Sequence, residues 1–111
     1  MARTTFSGPV ASTNGFIAGT GLTVTNVLGA SASLNFGSIA AAEQADLTIT
    51  VSGAAANNVV VLGLPASPAA GIVFNAFVSA TNTVTVRATN VTALAVNPDA
   101  ATYSVVVLQV S

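Results

Sequence analysis

Only five side chains of this sequence carry a charge at neutral pH: Arg3, Glu43, Asp46, Arg87 and Asp99. There is no histidine, no cysteine and no lysine. Serine and threonine are plentiful, but a hydroxyl nucleophile needs an adjacent base, and the usual bases are missing. Without cysteine there is no thiol nucleophile, no thiolate metal site and no disulfide. A glycosidase-type pair would have to come from Glu43, Asp46 and Asp99. Glu43 and Asp46 lie close together where a strand begins, and the plain reading there is a solvated edge. A calcium site from the same carboxylates would want an Asp-rich loop, which is absent. Gly19-Thr20-Gly21 is too short to cradle a phosphate, and no helix or lysine follows it. Asn90-Val91-Thr92 matches the glycosylation acceptor pattern, but nothing upstream reads as a secretion signal, so the match is taken as chance. The expectation is a protein without catalytic, cofactor-binding or metal-binding residues, and not an enzyme.

Arg87 is the one cation beyond the N-terminal stretch, on the polar side of an alternating segment. One reading is an ordinary exposed residue. The other is an interface salt bridge to Asp46, to Asp99 or to a carboxylate of a partner. With so few charges, one left unpaired in an interface would be costly.

The elements that must position these residues are set by an unusual composition. Charged residues make up 5% of the 111-residue chain, against about 25% in ordinary soluble domains. The hydrophobic fraction is 52% and mean hydropathy is +0.79. A membrane-spanning helix needs about 18 consecutive apolar residues. The longest apolar run, at residues 59–66, is far shorter and ends around Pro65. A net charge of −1 supplies no electrostatic reason to bind nucleic acid. A surface that cannot be charged is poorly soluble as a free monomer. That argues for association with further copies or docking onto a larger body.

Strand signals recur along the chain. Residues 22–27 alternate for one short strand, and residues 31–36 for another, with Leu34 and Phe36 on one face. Residues 45–51 place Leu47, Ile49 and Val51 inward. Residues 59–64 are continuously apolar and predict a strand covered on both faces. Residues 72–78 place Phe74 and Phe77 on opposite faces. Residues 83–89 alternate Val84, Val86 and Ala88 against Thr83, Thr85, Arg87 and Thr89. Residues 102–110 set Tyr103, Val105, Val107 and Gln109 on one face. Turns are expected at residues 53–58, 65–71, 81–82 and 97–99, and one helical turn at residues 40–45. Tyr103 and the five phenylalanines read as core or arm anchors. Six or seven short strands predict an all-β fold, a compact antiparallel β-sandwich of jelly-roll or Ig-like type at residues 31–111. Residues 1–30, rich in Gly, Ser, Thr and Asn, predict an extended N-terminal arm. Its isolated apolar residues, Phe6, Val10, Phe16 and Ile17, are the candidate partner-binding anchors.

Ser7-Gly8-Pro9-Val10 with Asn14-Gly15-Phe16 resembles the arm of small structural proteins of tailed bacteriophages. Residues 34–40, residues 82–92 and residues 97–103 are similar to core segments of the same proteins. These include capsid decoration (cement) proteins, some from cyanophages, and parts of tail fibres. The resemblance implies a β-sandwich, usually a homotrimer, on the virion. Its partner would be the major capsid protein of the phage head, whose shell it stabilises by bridging capsid subunits. The alternative is a tail or tail-fibre component, acting as a receptor-binding or adaptor module. A 111-residue chain with no shaft and 5% aromatic residues fits the cement expectation better.

Overall fold

The computed structural model describes residues 3–111 and contains no helix among them. Seven strands follow in order: β1 (Phe16–Ile17), β2 (Thr23–Leu34), β3 (Gln44–Thr50), β4 (Val59–Gly63), β5 (Ile72–Ala80), β6 (Thr83–Asn90) and β7 (Ala101–Val110). They form two antiparallel sheets, ordered β1-β2-β7-β4 and β3-β6-β5. Most connections cross from one sheet to the other, and β5–β6 is a hairpin within one sheet. The expected compact antiparallel β-sandwich is therefore present.

The core lies where the alternating residues of both sheets meet. Ile49, Val84 and Val86 come from one sheet, and Leu34, Tyr103, Val105 and Val107 from the other. All seven are at most 5% exposed. A smaller cluster of Ile39, Ile72 and Ala88 closes one end. The hairpin turn at Thr81 and Asn82 is as expected. Asn82 sits in the left-handed region at φ 61°, which asparagine tolerates better than most residues. Its side-chain oxygen accepts a hydrogen bond from Gly53 N at 2.8 Å. That contact pins the hairpin to the loop after β3.

Four expectations change. The two short strands expected at residues 22–27 and 31–36 are one strand, β2, with Leu28, Ala30 and Ala32 packed against the core between them. The expected boundary between residues 30 and 31 therefore falls inside β2. Residues 23–30 belong to the sandwich, because β2 pairs with β7 from Val24 to Leu34. The helical turn at residues 40–45 is a tight turn instead. Glu43 N donates to Ala40 O at 3.1 Å, and Ala42 is at φ 61°. Gln44 then enters the ladder opposite Thr89, which ends any helix. Finally, β4 is not covered on both faces. It is an edge strand whose Val60 and Leu62 pack inward while Val59 and Val61 are 49% and 55% exposed. Among the described residues no third layer lies over it.

Candidate interaction surface

Residues 3–22 contain no buried side chain. Phe6 and Val10 are 65% and 63% exposed and precede the first strand. The first two positions of the expected arm lie outside the described residues. A turn ends at Gly15, where Ser12 O accepts from Gly15 N. Gly15 has φ +84°, and a Cβ there would collide with the Val24 carbonyl oxygen. Only glycine fits such a position. Phe16 and Ile17 then pair with Val24 and Thr23. The four expected anchors are thus divided. Phe16 and Ile17 are joined to the sheet, and Phe6 and Val10 stand upstream of it.

The two outer faces of the sandwich differ in chemistry. Cross-strand partners point to the same side of a sheet, so the ladder register defines each face. On β3-β6-β5 the outward rows are Gln44–Thr89–Val73, Asp46–Arg87–Asn75 and Thr48–Thr85–Phe77. This face is polar, with one ion pair. Arg87 Nε and Nη2 donate to Asp46 Oδ1 and Oδ2 at 2.9 and 3.0 Å. The guanidinium also lies 5.0 Å from the centre of the Phe77 ring, within cation–π range. Arg87 therefore pairs inside the chain, across neighbouring strands, where one of its two readings had placed the salt bridge at an interface, and both carboxylate oxygens are engaged.

That hydrogen bond holds the Asp46 carboxyl below its ordinary value of 3.8, and it raises Arg87 in turn. A depressed carboxyl stabilises the fold above the unfolded value and loses that contribution as pH falls through the folded value. Asp46→Asn is expected to cost little at neutral pH, as for most exposed pairs. It should flatten the fall of Tm below pH 3.8, which thermal melts at pH 2–7 will read.

On β1-β2-β7-β4 the outward rows are apolar or small. They read Phe16–Val24–Val110, Val27–Leu108–Val59, Gly29–Val106–Val61 and Ser31–Ser104–Gly63. Phe16, Val27, Val59, Val61, Val106 and Val110 are each 40–60% exposed. No charged residue lies in any of these rows. No family model, curated protein or solved structure matches this chain.

Two clefts open on the surface. One, of about 260 Å³, lies between residues 10–16 and the start of β2. The other, of about 140 Å³, lies between the residue 65–69 loop and the residue 97–103 segment, beside Asp99 and Tyr103. Small-molecule sites usually run to ~300–1,000 Å³. Among the described residues no three acidic side chains cluster around a common point. Glu43 lies in the turn before β3, Asp46 is tied to Arg87, and Asp99 is on the β6–β7 connection.

Sequence reasoning assigned the partner contacts to the N-terminal residues and read residues 59–64 as covered on both faces, but did not identify the exposed apolar outer face of the whole sheet. A signal for it was present. Residues 59–62 and 105–108 are each unbroken apolar runs, the pattern of strands buried on both sides.

Proposed function

We propose that this chain is a non-enzymatic structural protein of a virion: a capsid decoration, or cement, protein of a tailed bacteriophage. On this reading it sits as a homotrimer on the outer surface of the head, where it bridges copies of the major capsid protein. The observation that carries the docking role is the unpartnered apolar surface. Phe6 and Val10 stand out from a sandwich that has almost no charge to keep it soluble alone. The capsid as partner rests on the resemblance of the N-terminal and core segments.

The mechanism is linkage. A ligand that binds only the assembled lattice opposes its disassembly. Phe6 and Val10 each gain about 1.5–3 kcal/mol on entering a pocket of a neighbour. Part of that gain is lost in ordering a Gly- and Ser-rich segment. Several N-terminal segments on one oligomer then bind with a high effective concentration. None of this needs a catalytic group.

The test adds purified protein to undecorated heads and reads occupancy and heat resistance. Deleting residues 2–20 is expected to abolish binding. The double replacement Phe6→Ala with Val10→Ala should weaken it about 100-fold, the equivalent of roughly 3 kcal/mol. Both residues are largely exposed, so the fold should be unaffected. Unchanged occupancy and unchanged heat resistance with the truncated chain would remove the N-terminal segment from the contact.

A further inference from the structure

Strand β2 is accompanied along its length on one side only. β7 pairs with it from Val24 to Leu34, while on the other side β1 reaches only Thr23 and Val24. Residues 25–34 therefore present an open ladder edge, and among the described residues no other backbone group bonds to it. In an antiparallel strand alternate residues turn their N–H and C=O away from a given neighbour. Half of this stretch thus offers donors and acceptors with no strand beside them.

Folded proteins blunt such edges with charge, proline, short length, bulges or a cover, because an open edge pairs with any strand it meets. The other edges of this sandwich follow that rule. β3 carries Asp46, with Glu43 just before it. β4 is only five residues long, and β5 has a register irregularity between Val78 and Ala80. Residues 26–34 of β2 contain no charge and no proline. The irregularity of this strand, between Val24 and Asn26, lies at one end. Such an edge suits a strand that is covered in the assembled protein.

The chain holds a segment that fits it. Residues 3–12 belong to no strand, and among the described residues no backbone hydrogen bond holds residues 3–11. The stretch from Thr4 to Thr13 matches residues 25–34 in length, about 33 Å when extended. Thr4, Thr5, Phe6, Val10 and Thr13 favour strands. Pro9 is tolerated, because an added strand is itself an edge and its proline nitrogen can point away from the ladder. Neither stretch carries a charge.

The segment stands off its own edge. Upstream of Phe16 the chain would run on beside Thr25 and Asn26, but the turn from Ser12 to Gly15 diverts it. Gly15, at φ +84°, lies so close to the Val24 carbonyl oxygen that pairing ends there. Val10 and Ser12 then face Val24–Val27 across the cleft of about 260 Å³. The molecule thus has a free edge and a free strand-forming segment that its own turn keeps apart.

We infer that residues 4–13 of one copy add to the β2 edge of the next copy, in line with that copy's β1. Main-chain hydrogen bonds supply the affinity, as in other strand additions. The contact joins two different surfaces head to tail, so it closes into a ring and not a two-fold pair. A ring of three is the homotrimer of the proposed function. Residues 6, 8, 10 and 12 share one face of the added strand. The inner side of β2 is already filled, with Leu28, Ala30 and Ala32 packed against the core and Leu34 buried. Phe6 and Val10 therefore lie outward, beside the exposed Gly29 and Ser31, and stay available to the capsid. The inference goes beyond the capsid reading and rests on it only for the number of copies in the ring.

The test follows the native chain through dilution by sedimentation and by amide hydrogen exchange. In the oligomer, amides between residues 4 and 13 should exchange at least about 10-fold more slowly than in the monomer reached on dilution. The chain has no cysteine, so introduced thiols report without background. Val10→Cys is combined in one chain with Val27→Cys, Ser31→Cys or Ser33→Cys, and each double variant is oxidised at a concentration where the oligomer forms. At least one should give disulfide-linked multimers on a non-reducing gel. The inference is overturned by a native chain that stays monomeric, by an oligomer without protection at residues 4–13, by bridges closed within single chains, or by three double variants that link no two chains. Covalent rings of a number other than three keep the inference and remove the homotrimer. Linked multimers of a chain that ignores heads keep the inference and remove the proposed function. Heads bound by a chain that fails the exchange and bridge tests do the reverse.

Discussion

Tyr103→Ala is expected to destabilise the sandwich by about 4 kcal/mol, within the ~3–5 kcal/mol span for deleting a buried aromatic ring. Tyr103 is 1% exposed on β7, and its ring completes a three-ring cluster. It lies 5.7 Å from Phe36 at an interplanar angle of 82° and 5.6 Å from Phe74 at 45°. Phe36 and Phe74 are themselves 6.0 Å apart at 61°. These distances and tilts fall in the favourable range for aromatic pairs, each worth about 0.5–1.5 kcal/mol beyond burial. Phe36 follows β2, Phe74 is on β5 and Tyr103 is on β7, so the cluster ties the two sheets together. Alanine would leave a cavity that a rigid sandwich cannot close. Tyr103→Phe keeps the ring and should cost less than about 1.5 kcal/mol, as volume-conserving changes do. Burial also raises the Tyr103 hydroxyl above its ordinary value, so it stays protonated at neutral pH. Denaturant titration of the three proteins decides the matter. Equal midpoints for the alanine and phenylalanine variants would show that the ring cluster contributes nothing.

Asn90→Asp should be nearly as damaging, for an electrostatic reason. Asn90 is fully buried at the end of β6. Its Nδ2 donates to Ile39 O at 2.9 Å and to Leu94 O at 2.8 Å. Its Oδ1 accepts from Thr92 N at 2.9 Å and from Thr92 Oγ1 at 2.7 Å. The side chain therefore joins the β2–β3 connection to the turn after β6. Aspartate would set a carboxylate oxygen against two carbonyl oxygens in a fully buried site. An unpaired buried charge costs about 3–5 kcal/mol, and a loss near 3 kcal/mol lowers Tm by about 12 °C or more in a domain of this size. The introduced carboxyl should titrate well above its unfolded value, so the deficit relative to the native chain grows as pH rises through the unfolded value. Protonation at low pH restores one donor and should recover part of the loss. Asn90→Ala removes the bonds without adding a charge and should show no such pH dependence. A variant Tm within a degree or two of the native one at pH 7 would mean that the buried network is dispensable.

The same residue marks the limit of motif reading. Asn90-Val91-Thr92 has the form of a glycosylation acceptor, yet in the folded chain its amide is enclosed and its threonine is the hydrogen-bond partner. The spacing that suits a glycan also suits a turn closed by side chains two residues apart. Local sequence cannot separate the two, because the difference is burial.

What the sequence determined by itself is what depends on residue type and on period. The scarcity of charge and the lack of His, Cys and Lys narrow the groups that could do chemistry to three carboxylates, two arginines, one tyrosine and the hydroxyls of Ser and Thr. Clean alternation at residues 45–51 and 83–89 identified β3 and β6 and the side chains that face the core, because polar residues occupy every second position. What only the tertiary structure decided is what depends on pairing between distant segments. Residues 23–34 form one strand because β7 offers a ladder from Val24 to Leu34, although the small residues Gly29, Ala30 and Ala32 blur the period. Residues 59–63 became an edge strand with one bare face, because a run that is apolar at every position cannot say which side meets the core. Arg87 found Asp46 across a strand pair 41 residues apart in sequence. Phe16 joined the sheet while Phe6 did not, since the turn at Gly15 sets Phe16 and Ile17 beside Val24 and Thr23. In each case the residue types were plain, and the layer they would face was set by contacts far along the chain.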